Sequence, residues 1–168
     1  SCEAAMASII NVDKVRATGS TTDGLIVDSS GRVTQPALPA ACFHYQGSNL
    51  AGAAVIPLNT QSVLQGGMAM SSNEITLPVT GLYHIGWYHL NNLNSSYAVI
   101  IIRINGEAAG TILQHGNQTQ YKPANGNNTF SYNTIASLSA NDTVDFYLSQ
   151  GTIHGNADYN SMHVYLLG

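Results

Sequence analysis

Six histidines are the first candidates for chemistry in this sequence, because imidazole binds metals and titrates near neutral pH. They are His44, His84, His89, His115, His154 and His163. No two of them have the spacing on a helix that builds a zinc site. His84 and His89 lie five residues apart on a predicted strand and therefore point to opposite faces. The pattern favours polar strand and loop positions, with no metal.

The carboxylates give no stronger indication of a metal or of catalysis. Asp142, Asp145 and Asp158 could offer oxygen ligands to calcium, but calcium takes six to eight oxygens and its usual loop motif is absent. Asp142 is better explained as a turn residue beside Asn141. The sequence holds no G-x-S-x-G, H-E-x-x-H or phosphate-binding loop motif. We therefore expect no catalytic residue, no cofactor and no enzymatic activity.

The aromatic residues have two interpretations. Tyr83, Ile85 and Trp87 alternate along one strand face, with Tyr88 on the other face, which indicates core or subunit packing. The same packing role is predicted for three further residues, Ile100, Ile102 and Phe146. The alternative is a surface on which sugars stack, formed near the polar loops by tyrosines among Tyr121, Tyr132, Tyr147 and Tyr159.

Composition limits the class of protein. The chain has 168 residues, of which 44% are hydrophobic and only 8% charged, with a net charge of −4. Five basic residues without a cluster argue against a nucleic-acid partner. No apolar run approaches the ~18 residues of a membrane-spanning helix, so no membrane partner is expected. A surface of Asn, Ser and Thr suits packing against neighbouring chains, where charges would be costly to desolvate. These features predict an assembly component.

The elements that would position these residues are strands throughout residues 41–168. Predicted strands cover 41–46, 54–58, 74–77, 82–90, 97–104, 107–114, 129–138, 143–149 and 162–167. Asn105-Gly106 predicts a two-residue hairpin, and Ala140-Asn141-Asp142 predicts another between strands 129–138 and 143–149. The segments 116–128 and 151–161 are predicted to be polar loops. The strand spacing indicates an all-β antiparallel sandwich.

Residues 1–40 differ from the rest and predict a separate N-terminal arm. Two short β-type runs occur, at 9–12 and 25–28, and Ser29-Ser30-Gly31 predicts a hairpin turn after the second. A hairpin this small is marginally stable alone, so other chains are expected to hold it. The residues predicted to anchor it are Ile9, Ile10, Val12, Leu25, Ile26 and Val27. No charged segment precedes an apolar run, so no secretory signal peptide is predicted.

The run Ile75 to Ile85, ITLPVTGLYHI, resembles the signature of the tumour necrosis factor and complement globular-head superfamily. There, a strand ends in a Pro-containing bend before Gly-x-Tyr opens the next strand. An early aromatic strand at 43–45, the Asn105-Gly106 turn and the run 141–146 agree in order. The resemblance covers about residues 41–168 and implies a ten-stranded jelly roll that assembles as a homotrimer. It also raises the alternative that one histidine lies on the threefold axis beside the same histidine of the two other subunits. Three imidazoles there could bind a metal or make the stability of the trimer depend on pH.

The segments 6–15 and 27–36 are similar to leader segments of tailed-bacteriophage virion proteins, which often precede a jelly-roll head. That similarity implies a virion structural protein on the particle surface, either a capsid decoration or cement protein or a short head-fibre knob. Its partners would be its own copies and other virion proteins, such as the major capsid protein. The absence of a long repetitive shaft favours the decoration role. The alternatives are a tail-fibre head that binds a host-surface carbohydrate, and a secreted lectin-like module.

Overall fold

The computed structural model describes residues 14–15, 25–27, 29–35, 38–90, 97–106, 112–119 and 129–167. The chain divides into two compact units, an arm unit of residues 1–38 and a head unit of residues 39–168. No helix in these described ranges is long and apolar enough to cross a bilayer.

The described part of the arm unit contains three short antiparallel strands, β1 (Lys14–Val15), β2 (Leu25–Val27) and β3 (Val33–Thr34). Strand β2 pairs with both of the others, and Val27 lies opposite Val33 across the predicted hairpin. Gly31 adopts a φ of 75°, which glycine tolerates without a steric cost and which closes the turn. The predicted run at 9–12 lies outside the described residues.

The head unit is built almost entirely of strands. In chain order they are β4 (Ala40–His44), β5 (Leu50–Ala51), β6 (Ala54–Val55), β7 (Thr60–Gln65), β8 (Ala69–Ser71), β9 (Glu74–Thr76), β10 (Gly81–Leu90), β11 (Tyr97–Ile104), β12 (Ile112–Thr119), β13 (Thr129–Leu138), β14 (Thr143–Ile153) and β15 (Asn160–Leu166). One 3₁₀ turn, Ala157–Tyr159, precedes β15, and the Asn156 side chain accepts a hydrogen bond from the Asp158 amide at its start.

Two antiparallel sheets form the sandwich. The five-stranded sheet has the order β13-β10-β15-β4-β7. The seven-stranded sheet has the order β12-β11-β14-β9-β8, with β5 and β6 also paired to β14. Apart from the consecutive pairs β11-β12 and β8-β9, neighbours in these sheet orders are not consecutive in sequence, so the chain crosses repeatedly from one sheet to the other, as in a jelly roll. The predicted antiparallel jelly-roll sandwich is confirmed.

One hydrophobic core lies between the sheets, because alternate residues of each strand point inward. Strand β10 contributes Tyr83, Ile85 and Trp87, and β14 contributes Val144, Phe146 and Leu148. All six are at most 1% exposed. The outward positions of the same strands, such as His84 and Asp145, are therefore available for roles other than core packing.

Three details of the predicted strand pairing are wrong. Asn105 and Gly106 do have positive φ, but Arg103 pairs with Ile112, whereas a two-residue turn would pair it with residue 108. Strand β12 therefore lies further along the chain than the predicted 107–114. Strands β13 and β14 belong to different sheets and do not form a hairpin, although Asn141 between them has a φ of 70°. The turn residues favour a reversal of the chain, but they do not determine which strand the reversed chain pairs with.

Two predicted loops are partly strand. Residues 116–119 belong to β12, and 151–153 extend β14 before the 3₁₀ turn. Asn- and Gly-rich composition is typical of loops, but sheet pairing overrides it here, since Ala98 pairs with both Gln118 and Gly151.

Candidate functional site

The outer face of the five-stranded sheet carries two cross-strand rows of side chains with no charged residue among them. The first row, from β13 to β7, is Ile135, His84, Tyr165, Ala40 and Gln65. The second row is Asn133, Gly86, His163, Cys42 and Val63. We call these ten residues the imidazole face.

Large apolar side chains are exposed on and beside the imidazole face. Ile135 is 57% exposed, and Tyr165 and Val63 are each 37% exposed. Leu82, two residues before His84 and on the same side of β10, is 44% exposed. Exposed apolar residues scattered singly need no explanation, but several on one sheet face are typical of an interaction surface.

Three rings stack at the centre of the imidazole face. His84 and His163 are nearly parallel, with ring centroids 5.3 Å apart and an interplanar angle of 9°. Tyr165 lies 4.7 Å from His84 and 6.0 Å from His163, again by centroids. The stack follows from the register, since Tyr165 lies directly opposite His84 and His163 lies on the diagonal.

Gly86 makes this stack possible. A Cβ atom at residue 86 would collide with Asn133 Oδ1 from one side and lie 2.6 Å from His163 Nε2 on the other. The two side chains therefore lie over β10 at the place where glycine leaves room. Beside them is a shallow depression of about 390 Å³, lined by His84, Asn133, Thr134 and Ile135. The Nδ1 atom of His84 is buried and has no hydrogen-bond partner among the described residues.

The electrostatics of the imidazole face favour neutral side chains. Burial lowers the pKa of His163 below the ordinary imidazole value, and the neighbouring charge of protonated His84 lowers it further. Burial raises the pKa of the Cys42 thiol, so this free cysteine is a neutral group and a poor nucleophile. The face therefore offers apolar contact and uncharged hydrogen-bonding groups near neutral pH.

The outer face of the seven-stranded sheet differs, because it carries a buried ion pair. Arg103 on β11 lies opposite Asp145 on β14, with Nε–Oδ1 and Nη2–Oδ2 distances of 2.7 and 2.9 Å. The Arg103 guanidinium also lies 4.3 Å from the ring centroid of Tyr147. The charges of Arg103 and Asp145 are thus paired with each other within the chain.

The six residues predicted to pack in the core or between subunits all lie in the intramolecular core. They are Tyr83, Ile85, Trp87, Ile100, Ile102 and Phe146, and none is more than 1% exposed. Contact with another copy would therefore use other residues.

The residues predicted for anchoring and ligand binding are spread over the chain. Leu25, Ile26 and Val27 are half-buried in β2, whereas Ile9, Ile10 and Val12 lie outside the described residues. Tyr132 is partly buried against the core, which leaves it little surface for a sugar. Tyr159 is 43% exposed in the 3₁₀ turn, and Tyr121 lies outside the described residues.

The candidate metal ligands are not brought together. Among the described residues, no three His, Cys, Asp or Glu side chains are placed to hold a metal ion. Asp142 stabilises the turn that contains it, because its carboxylate accepts hydrogen bonds from Asn105 Nδ2 and the Ser139 amide. Asp145 pairs with Arg103, and Asp158 lies exposed in the 3₁₀ turn.

Three other histidines, His44, His89 and His154, have separate environments, and the side chain of His115 lies outside the described part of the chain. The Nδ1–H group of His44 donates to the Asn160 carbonyl, 2.6 Å away. His89 is fully buried beside Trp87 and Met162, and burial lowers its pKa from 6.5 to about 3. His154 packs edge-on against Tyr159.

The sequence did not identify Leu82, Ile135 and Tyr165 as site residues. The sequence feature that could have identified them is the occurrence of large apolar or aromatic residues on both faces of one strand, as at Leu82 beside Tyr83. That pattern indicates a second covered face, but the rows become visible only when the register of five distant strands is known.

The sequence matches no family model and no curated protein. Solved structures match the fold at low identity. Murine APRIL at pH 5.0 has a TM-score of 0.60 and 9% identity, over 77% of this chain and 99% of that one. Eiger TNF from S. frugiperda has a TM-score of 0.60 and 15% identity, over 78% and 93%. Murine APRIL at pH 8.0 has a TM-score of 0.53 and 10% identity, over 76% and 99%. Residues of the head unit therefore form a jelly roll like that of tumour necrosis factor proteins.

Proposed function

We propose that this chain is a non-enzymatic structural protein of a bacteriophage particle. Its head unit self-associates as a homotrimer through the imidazole face, and its arm unit attaches the trimer to the particle surface. In this role it decorates or cements the capsid, or forms a short head-fibre knob, and its partners are other virion proteins such as the major capsid protein.

The observation that carries the proposal is the exposed, uncharged character of the imidazole face. Ile135, Tyr165 and Val63 expose apolar surface there, and none of the ten residues in its two rows is Asp, Glu, Lys or Arg. Interface cores are depleted in charge and enriched in aromatic residues, which matches this face. A monomer that stayed separate would be expected to carry charges there.

A second copy of the same chain is the occupant that this face fits best. A charged partner would lose the hydration of its charges and gain no opposite charge in return. An identical uncharged face loses no such hydration and buries apolar surface from both sides. The threefold arrangement is taken from the superfamily resemblance of residues 41–168.

The arm unit supports the attachment role by its composition and size. Its apolar residues, such as Leu25 and Ile26, are only half-buried in a sheet of three very short strands. A sheet this small gains little stability alone and would gain much by docking on another protein. The similarity of segments 6–15 and 27–36 to phage leader segments supports a virion component as that other protein.

Incorporation into particles tests the proposal. Full-length chain and a variant lacking residues 1–38 would be supplied to assembling phage, and both would be measured in purified particles. We expect the full-length chain to be incorporated and the truncated chain to remain free as a folded trimer. Equal incorporation of the two would contradict anchoring by the arm unit, and the absence of both from particles would contradict the virion role.

One observation favours the alternative of a head that binds host carbohydrate. Tyr159 is 43% exposed, and its ring is held edge-on by His154 with centroids 5.1 Å apart. The Tyr88 hydroxyl donates to the Asp158 carbonyl and thereby fixes the turn that carries Tyr159. A positioned, exposed tyrosine is suited to stacking against a sugar ring.

Glycan binding separates this alternative from the first proposal. A glycan array would be probed with the full-length chain and with Tyr159→Ala, using Asp158→Ala as a control in the same turn. Binding that is lost only in Tyr159→Ala would favour the receptor-binding role. Absence of binding by the full-length chain would contradict it.

A further inference from the structure

We infer that protons regulate the self-association of the head unit, with His84 and His163 as the groups that respond. The subunits associate near neutral pH and separate, still folded, as the pH falls through the imidazole range. The inference rests on the self-association proposed above and adds its regulation.

The first step of the argument is the position of the two imidazoles. They lie at the centre of the imidazole face, in adjacent rows, with nearly parallel rings 5.3 Å apart. Two positive charges at this distance would repel each other, and burial beneath a second copy would strengthen the repulsion by excluding water. Tyr165, which completes the stack, brings a phenol and not a carboxylate to the pair.

The second step is that no residue described in the two rows carries a charge that could compensate the pair. Strand β4 presents the neutral Cys42 thiol towards His163 and, further along, His44. Strands β13 and β7 present Asn133, Ile135, Val63 and Gln65, none of which titrates. Within the two rows, therefore, no carboxylate is available to hold a protonated imidazole.

The third step is the orientation of the hydrogen-bonding atoms. His84 Nδ1 is buried without a partner among the described residues, and His163 Nε2 and Asn133 Oδ1 both lie over Gly86. A neutral imidazole tolerates this environment better than a cation, which needs partners for two N–H groups. The geometry of a single subunit already disfavours the charged form of His163, as its lowered pKa shows.

The direction of the pH effect follows from linkage. Covering the face removes water from both imidazoles and lowers their affinity for protons. The associated form then binds fewer protons than the separate subunits do. Acid therefore shifts the equilibrium towards separate subunits, beginning below the ordinary imidazole pKa of about 6.5.

The test measures the mass of the full-length chain by light scattering at pH 7.5, 6.5, 5.5 and 5.0, at constant ionic strength. Trp87 fluorescence, recorded in parallel, reports whether the core of the separated subunits stays intact. The variants are His84→Gln/His163→Gln, which keeps polar side chains that do not titrate, and His154→Gln as a control away from the face. If the double variant does not fold, the single variant His84→Gln replaces it.

We expect the dissociation constant of the unaltered chain and of His154→Gln to rise at least about tenfold between pH 7.5 and 5.5. A tenfold change corresponds to a difference of one unit between the imidazole pKa values of the separate and the associated subunits. The double variant should remain associated down to pH 5.0, and the single variant should dissociate at a lower pH than the unaltered chain. An unaltered chain that keeps its mass at pH 5.0, or a double variant that dissociates alongside it, would overturn the inference while the proposed function stands. A monomer at pH 7.5 would overturn both.

Discussion

Arg103 and Asp145 form a two-point ion pair across β11 and β14, with N–O distances of 2.7 and 2.9 Å. Their side chains are only 9% and 1% exposed. The chain has few charged residues, and both members of this pair lie on the outer face of the seven-stranded sheet. The two rows of the imidazole face, on the opposite side of the sandwich, contain no Asp, Glu, Lys or Arg. This difference in charge distinguishes the two surfaces.

Breaking the ion pair should destabilise the head unit more than removing it. Asp145→Ala leaves the Arg103 guanidinium buried without its carboxylate, which typically costs ~3–5 kcal/mol of unfolding free energy. The double variant Arg103→Leu/Asp145→Leu should cost less, since no buried charge remains unpaired. Urea unfolding of both variants would check this order. If Asp145→Ala were the milder change, the pair would contribute little to the fold.

Core packing should dominate the stability of the head unit. Ile100 is fully buried between the sheets, and its truncation in Ile100→Ala should cost ~2–5 kcal/mol, with a clear fall in melting temperature. Asp158→Ala, at an exposed position, should stay within ~0.5 kcal/mol of the unaltered chain. Calorimetry of the two variants makes the comparison. A larger effect at Asp158 would indicate a binding site around it.

His89 should make folding stability depend on pH independently of association. Burial lowers its pKa from 6.5 to about 3 in the folded chain, so between these values the unfolded chain binds more protons. Stability is then full above about pH 6.5 and falls as the pH decreases towards 3, by about 2 kcal/mol at pH 5. Urea unfolding at pH 7 and pH 5, with His89→Gln as the comparison, measures the effect. An equal loss of stability in His89→Gln would assign it to other groups.

Alternation and composition predict much of the core correctly. Strands β11 and β13 have the predicted bounds, and Tyr83, Ile85 and Trp87 share the inner face of β10 as expected. Strand β7 was missed because its residues are mostly polar and exposed, as suits the edge of a sheet. The turn at Asn141 predicts a reversal of the chain, yet the next strand enters the other sheet.

The candidate site was predictable only in part. His84 and His163 are visible as histidines on strands, but nothing in the sequence places them in one stack. Their contact depends on Gly86, whose missing side chain leaves room for His163 above β10. It also depends on the pairing of β10 with β15, which are separated by some 70 residues in the chain and meet through long-range packing. Such cross-strand geometry is not encoded in local periodicity.

The most direct test of the account is the mass of the full-length chain in solution at pH 7.5, compared with Ile135→Asp. A charge at Ile135 would be buried without a partner when the imidazole face is covered, so association should be lost. Val79→Asp provides the control, because Val79 is similarly exposed but lies in the bend before β10. The account predicts a mass of about three times 17.8 kDa for the unaltered chain and the control, and 17.8 kDa for Ile135→Asp. A monomeric unaltered chain, or an Ile135→Asp variant that remains trimeric, would contradict it.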